Sequence, residues 1–232
     1  MEFKIKKEIF EVFPDFMAGV ILLKNIDNRG EAPEITQLLR ETEKEQTNKF
    51  SEMENFSEHP QLNAWRMAYR KFGADPHQYR CSAEALVRRV LKGDRLRHIN
   101  KLVDLYNYTS LKYVLPVGGE DTDSMVGDLV LTLADGTEPF IRLGGIENEP
   151  PQKGEVIYKD DKGVACRKWN WREAERTKLT EETKNAIIVV EALAPATYRD
   201  VEVTTKDLVG LIQRYCGGQV NFYILSKEKT TI

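Results

Sequence analysis

At Pro116 the chain changes its hydrophobic period, and that change limits the folds open to it. Upstream lie "HPQLNAWRMAYRKFG" (59–73), "SAEALVRRVLKG" (82–93) and "HINKLVDLYNYTSLKYVLP" (98–116), with apolar residues at helical spacing. Downstream, "DLVLTLADGTEPFIRLGG", "GEVIYKDDKGVACRKWN", "NAIIVVEAL" and "QVNFYILS" are short apolar or alternating runs divided by turn residues. Helices followed by strands do not build an alternating βαβ sheet. They predict an α+β single domain with helices packed on antiparallel or mixed sheets.

The punctuation supports this division. "FKIKKEIF" alternates and reads as an opening strand, and "FMAGVILLKNI" (16–26) reads as a buried one. Residues 33–53 read as a highly charged helix with one solvated face. Gly73 is a C-cap, Ser82 is the cap of the next helix, and Ile99, Leu102, Val103 and Tyr106 face inward from the one after. "VGGEDTDSM" reads as a Gly- and acid-rich loop, "DLVLTLADGTEPFIRLGG" as a hairpin, and Thr205 as the N-cap of a late helix. The 232 residues carry a net charge of −3, so any RNA contact has to come from a local basic patch. No apolar run approaches the roughly 20 residues of a membrane span, and the charged N-terminus lacks a signal-peptide core. Cys81, Cys166 and Cys216 have no CxxC spacing and read as reduced thiols of a cytoplasmic protein. The three histidines form no HxxxH pair, so neither metal nor cofactor is expected.

Two stretches carry the most chemistry. In "IIVVEAL", alternation puts Ile187, Val189 and Glu191 on one face, and an acid on a buried face needs a partner. In "CRKWNWRE", read as a strand, Arg167, Trp169 and Trp171 share one face while Lys168, Asn170 and Arg172 share the other. These are either core tryptophans with snorkelling basic neighbours or a pocket wall with aromatic faces and guanidinium groups. An Arg167 or Arg172 pair with Glu191 would join the two stretches into one pocket fit for a zwitterion. Gly118 and Gly119 place exposed backbone beside acids, where N–H groups can hold an oxyanion, unless the loop is merely solvated. Asn107 either bonds loop backbone or lines the pocket. Arg88, Arg89, Lys92, Arg95, Arg97 and Lys101 are the densest basic run, either a solvated face or a contact for an RNA backbone.

The order and spacing of "INKLVDLYNYTSLKYVLPV", a Gly/Asp segment, strand pairs and "TEETKNAIIVVEAL" resemble the B3/B4 editing domain of the bacterial phenylalanyl-tRNA synthetase beta subunit. The matching positions are Val103, Asp104, Asn107, Tyr108 and Pro116, and the resemblance covers roughly residues 80–195. It implies a three-layer β/β/α fold, with residues 76–232 as the B3/B4-like part and 1–75 integrated into the same core. It also implies a free-standing member of the family, with no aminoacylation module, acting on tRNA or aminoacyl-tRNA and on an amino acid. In the family the domain hydrolyses tyrosine wrongly attached to its tRNA, and the glutamate at the place of Glu191 reads the ligand's hydroxyl. This chain departs from that pattern. Gly118 stands where the family has a histidine, Tyr106 where it has a threonine, and Arg167 and Lys168 where it has a glycine pair. The resemblance therefore implies a rebuilt pocket for hydrolysis or binding, with no catalytic residue assigned.

Overall fold

The run "AIIVVEA" presents apolar side chains on both faces and so has to be covered on both. In the computed structural model, which describes residues 1–232, it is a strand whose seven residues are all buried. In chain order the strands are β1 (Phe3–Ile5), β2 (Met17–Lys24), β3 (Val117–Asp121), β4 (Leu129–Leu133), β5 (Val156–Asp160), β6 (Gly163–Arg167), β7 (Arg172–Glu173), β8 (Ala186–Ala192) and β9 (Gln219–Leu225). The helices are α1 (Lys7–Val12), α2 (Pro33–Ser51), α3 (Pro60–Lys71), α4 (Ser82–Leu91), α5 (Lys101–Tyr113) and α6 (Tyr198–Tyr215).

Two sheets stack. One has the order β3-β8-β2-β9 and the other β1-β4-β5-β6-β7, with only β1 and β4 parallel among the strand pairs. The period of two sorts the β2–β8 pair. Ala18, Val20, Ile187 and Val189 face Leu129, Leu131, Val156 and Tyr158 of the second sheet, and Ile21, Leu23, Ile188 and Val190 face α5 and α6. The result is a β/β/α α+β domain. Strand β2, far from its partner in sequence, lies at the centre of the first sheet. Helix α6 sits close on that sheet because residue 19 is glycine: a Cβ there would lie 1.9 Å from Thr205 Oγ1.

Several local expectations differ from the structure. "FKIKKEIF" splits into β1 and α1. The "VGGEDTDSM" segment is not all loop, since Val117–Asp121 pairs with β8 as edge strand β3. Its glycines allow that pairing, because a Cβ on Gly119 would meet Ile188 Cδ1 at 2.2 Å and the Ile187 carbonyl at 2.7 Å. The second arm of the "DLVLTLADGTEPFIRLGG" hairpin does not form, and Ile141 and Arg142 make only isolated bridges to Asn148 and Ala174. Both edges of β4 are already taken, by β1 and β5. Helix α4 is capped by Cys81 rather than Ser82, and α5 by Asn100, which leaves Ile99 outside it and exposed. Helix α6 begins with a Thr197–Asp200 capping box, so Thr205 lies inside it and donates to the Val201 carbonyl.

Candidate functional site

Strand β6 stops at Arg167 because the next two residues turn left-handed, Lys168 with φ 47° and Trp169 with φ 68°. Such residues cost of order 1–3 kcal/mol each, and the buried carboxylate of Glu155 offsets this by collecting the turn. Arg167 Nε and Nη2 donate to its two oxygens at 2.8 and 2.9 Å, the Lys168 N–H at 3.0 Å and the Lys168 ammonium at 2.9 Å. Despite burial, these cations hold the Glu155 carboxyl below its usual range. The expected alternation through "CRKWNWRE" is therefore broken, and neither Arg167 nor Arg172 pairs with Glu191. Arg167 is spent on Glu155 and the Glu149 carbonyl, and Arg172 is exposed over the ring of Trp171. The zwitterion pocket built on an arginine–Glu191 pair falls with that geometry.

The turn sends its next side chains inward. Trp169, fully buried, packs against Phe13, Phe16 and Trp65 with ring centroids 4.7, 5.0 and 4.9 Å away. Asn170 donates to Glu191 Oε2 at 2.8 Å and accepts from the Tyr69 hydroxyl at 2.9 Å, while Tyr158 donates to Glu191 Oε1 at 2.6 Å. Alternation along β8 does place Glu191 with Ile187 and Val189, on the face toward the second sheet. Burial pushes the Glu191 carboxyl up to about 7; Tyr158, Asn170 and the nearby Trp169 indole pull it down, and the charge of Glu173 pushes it further up. The Trp169 Nε1 nonetheless has no hydrogen-bond partner of its own.

Around this network lies an inner chamber with about 30 Å³ open to water centres, lined by Gly118, Gly119, Glu120, Tyr158, Cys166, Trp169, Asn170, Glu173 and Glu191 and closed by Leu129, Ile187 and Val189. That is room for about one or two waters. A larger cleft of about 360 Å³ adjoins it, with Gly119 and Glu173 common to both walls; Ile99, Val103, Tyr106, Leu143, Lys178 and Leu179 line its outer part. Gly118, Gly119, Trp169, Asn170 and Glu191 are thus brought together. Arg167, Arg172 and Asn107 line neither space, and Asn107 is half-buried on α5.

Four lining residues were not singled out as site candidates from the sequence: Glu120, Tyr158, Cys166 and Glu173. Tyr158 alone had a local signal, since it shares a face of β5 with buried Val156 and is a long polar tip in an apolar run. The basic run divides. Arg88 bonds the buried Glu84 and covers the ring of Phe56, and Lys101 is buried with its ammonium on the Tyr215 carbonyl at the end of α6. Arg89, Lys92, Arg95 and Arg97 are exposed. The three cysteines are buried and unpaired, and no helix is long and apolar enough to cross a membrane.

The chamber lies within a stretch that comparison assigns: the B3/4 domain family matches residues 64–217, and the chain belongs to it. Over 104 residues it is 27% identical to the phenylalanine–tRNA ligase beta subunit of Fusobacterium nucleatum, a span of 45% of this chain and 13% of that protein. An N-terminal fragment of the phenylalanyl-tRNA synthetase beta subunit from Pyrococcus horikoshii superposes with a TM-score of 0.48 at 13% identity, over 94% of this chain and 49% of that one. The chain therefore spans less than half the length of either relative, and what it holds in common with the Fusobacterium protein is a synthetase-related domain.

Proposed function

We propose that the inner chamber and its adjoining cleft receive the aminoacyl end of a charged tRNA and that the chain promotes hydrolysis of the ester. The observation that carries this reading is the convergence of Glu191, Asn170, Trp169 and the Gly118–Gly119 strand on one small chamber beside a cleft twelve times larger in open volume, about 360 against 30 Å³. The larger space suits a terminal nucleotide, and the smaller one suits a compact group. Arg95 and Arg97 are exposed and lead in sequence directly to Ile99 and Asn100 on the rim of the cleft, a position fit for backbone phosphates. With glycine at position 118, the chemistry would rest on a positioned water, backbone donors and the tRNA's own hydroxyl rather than on a protein nucleophile.

A second reading, binding without cleavage, is favoured by one observation. Both oxygens of Glu191 are already satisfied, by Tyr158 and Asn170. Deacylation assays across a panel of charged tRNAs, run with the parent and with Glu191→Gln, separate the two. Hydrolysis of one or a few of them, reduced in the variant, supports the first. Saturable tRNA binding with no hydrolysis supports the second, and neither effect sinks both.

A further inference from the structure

We infer that the inner chamber is a site for a primary ammonium group, held by the paired carboxyls of Glu120 on β3 and Glu173 on β7; this rests on the reading that the chamber holds a ligand. The two side chains meet across the gap between the sheets, both lining the chamber. The strand opposite comes close enough that a Cβ on Gly118 would lie 3.1 Å from Glu173 Oε1. Glu120 is only 5% exposed, and Oε2 of Glu120 and Oε2 of Glu173 are both buried without a hydrogen-bond partner. A buried acceptor without a donor is costly, so this pair lacks what a ligand could bring.

The chain itself supplies no cation there. Arg176, whose charge reaches Glu120, donates instead to both oxygens of Asp160 and to the Ser124 carbonyl. Lys178, in the outer cleft, pairs with Glu175. The other groups facing the pair are Thr177, Tyr106 of α5, Tyr158 of β5, Cys166 of β6 and Glu191 of β8. Burial pushes the two phenols and the thiol up, so they remain neutral near pH 7. Apart from Asn170, which is engaged with Glu191 and Tyr69, the remaining walls are apolar, which strengthens any charge pairing inside. An ammonium has three donors, enough for the two free oxygens and one more acceptor, and it fits a space that admits no aromatic ring. A carboxylate or phosphate would be repelled.

Two adjacent buried carboxyls do not both ionise when alone; burial raises both, and the charge of Glu173 raises Glu120 further. The empty pair therefore holds a proton. When the ammonium enters, that proton leaves for solvent, and two carboxylates remain facing one cation. Binding should release about one proton, and it should tighten as pH rises for as long as the ligand's own ammonium stays charged.

The ammonium could be the α-amino group of an aminoacyl end or the tip of a side chain. Isothermal titration of the unmodified chain with three hydrolysis-resistant probes distinguishes these: L-alaninamide, Nα-acetyl-L-lysinamide and Nα-acetyl-L-alaninamide. Each is titrated at pH 7 in phosphate and in Tris. At least one ammonium probe should bind tenfold or more tighter than the neutral one, with a heat that differs between buffers by the release of a proton. Alaninamide binding names the α-amino source, and acetyl-lysinamide binding names the side-chain source. In Glu120→Gln/Glu173→Gln the preference and the proton release should both disappear. Equal binding of all three probes, weakened throughout by Glu191→Gln, would leave the ligand chamber standing and overturn the ammonium site. Failure of both ammonium probes to bind, or binding without proton release, overturns it as well, and neither result depends on the variant folding.

Discussion

Glu191 is a titration device as well as a ligand candidate. Its folded value of about 7 lies above the usual 4.5, mainly through burial. The stability this contributes is fully present below about 4.5 and is lost as pH rises through about 7. Glu191→Gln removes that loss while keeping the network. Tyr158 still donates to the amide oxygen, Asn170 turns its amide over, and the Tyr69 hydroxyl accepts where it had donated. Thermal denaturation at pH 5 and pH 8 should show the variant gaining on the parent at the higher pH. Parallel curves would mean that Glu191 does not titrate in this range. In deacylation or ligand binding the same change should cost roughly 1.5–3 kcal/mol, the range for a hydrogen bond to a charged group. Unchanged activity beside a changed melting curve would make the residue purely structural.

At the scale of elements, the turn after β6 and the edge strand β3 build the chamber. Glu155→Gln should be costly, about 3–5 kcal/mol, because it leaves Arg167 and Lys168 buried without their counter-charge. Since the Glu155 carboxyl is held low, its contribution is present above the ordinary glutamate range and is lost as pH falls through the folded value. Chemical denaturation of the variant at neutral pH tests the size. On β3, Gly119→Ala drives a methyl into the Ile187 backbone and should destabilise by about 1–3 kcal/mol. Gly118→Ala meets only the movable Glu173 carboxyl and should leave the fold within about 0.5 kcal/mol of the parent. Equal effects on the melting temperature would contradict the packing described. Alternation was enough to place Glu191 beside Ile187 and Val189. It failed at the turn after β6, because two left-handed residues and a carboxylate thirteen positions upstream of Lys168 reset the side-chain directions. Glu120 and Glu173 come from strands in different sheets, and no local pattern announces such a meeting.

For the whole molecule, the change of period at Pro116 was sufficient for the α+β class, because it reflects which faces must be buried. Which strands neighbour one another was not legible: β2 reaches the centre of its sheet, and β1 pairs in parallel, through contacts remote in sequence. The basic run shows the same division between composition and geometry, since six cations in sequence become four on the surface. Reversing Arg89, Arg95 and Arg97 to Glu should weaken tRNA binding and flatten its salt dependence, with small-ligand binding intact. An unchanged salt slope places the RNA elsewhere.

The seating of Trp169 gives the molecule an optical reporter. Its indole is fully buried among Phe13, Phe16 and Trp65, and it forms part of the chamber wall, whereas Trp171 is half-exposed beside Lys168 and Arg172. With Trp65 and Trp171 both replaced by Phe, the remaining emission should be blue-shifted, and its intensity should track occupancy of the chamber. Filling of a space this small can then be followed by intrinsic fluorescence, with no label attached to protein or ligand.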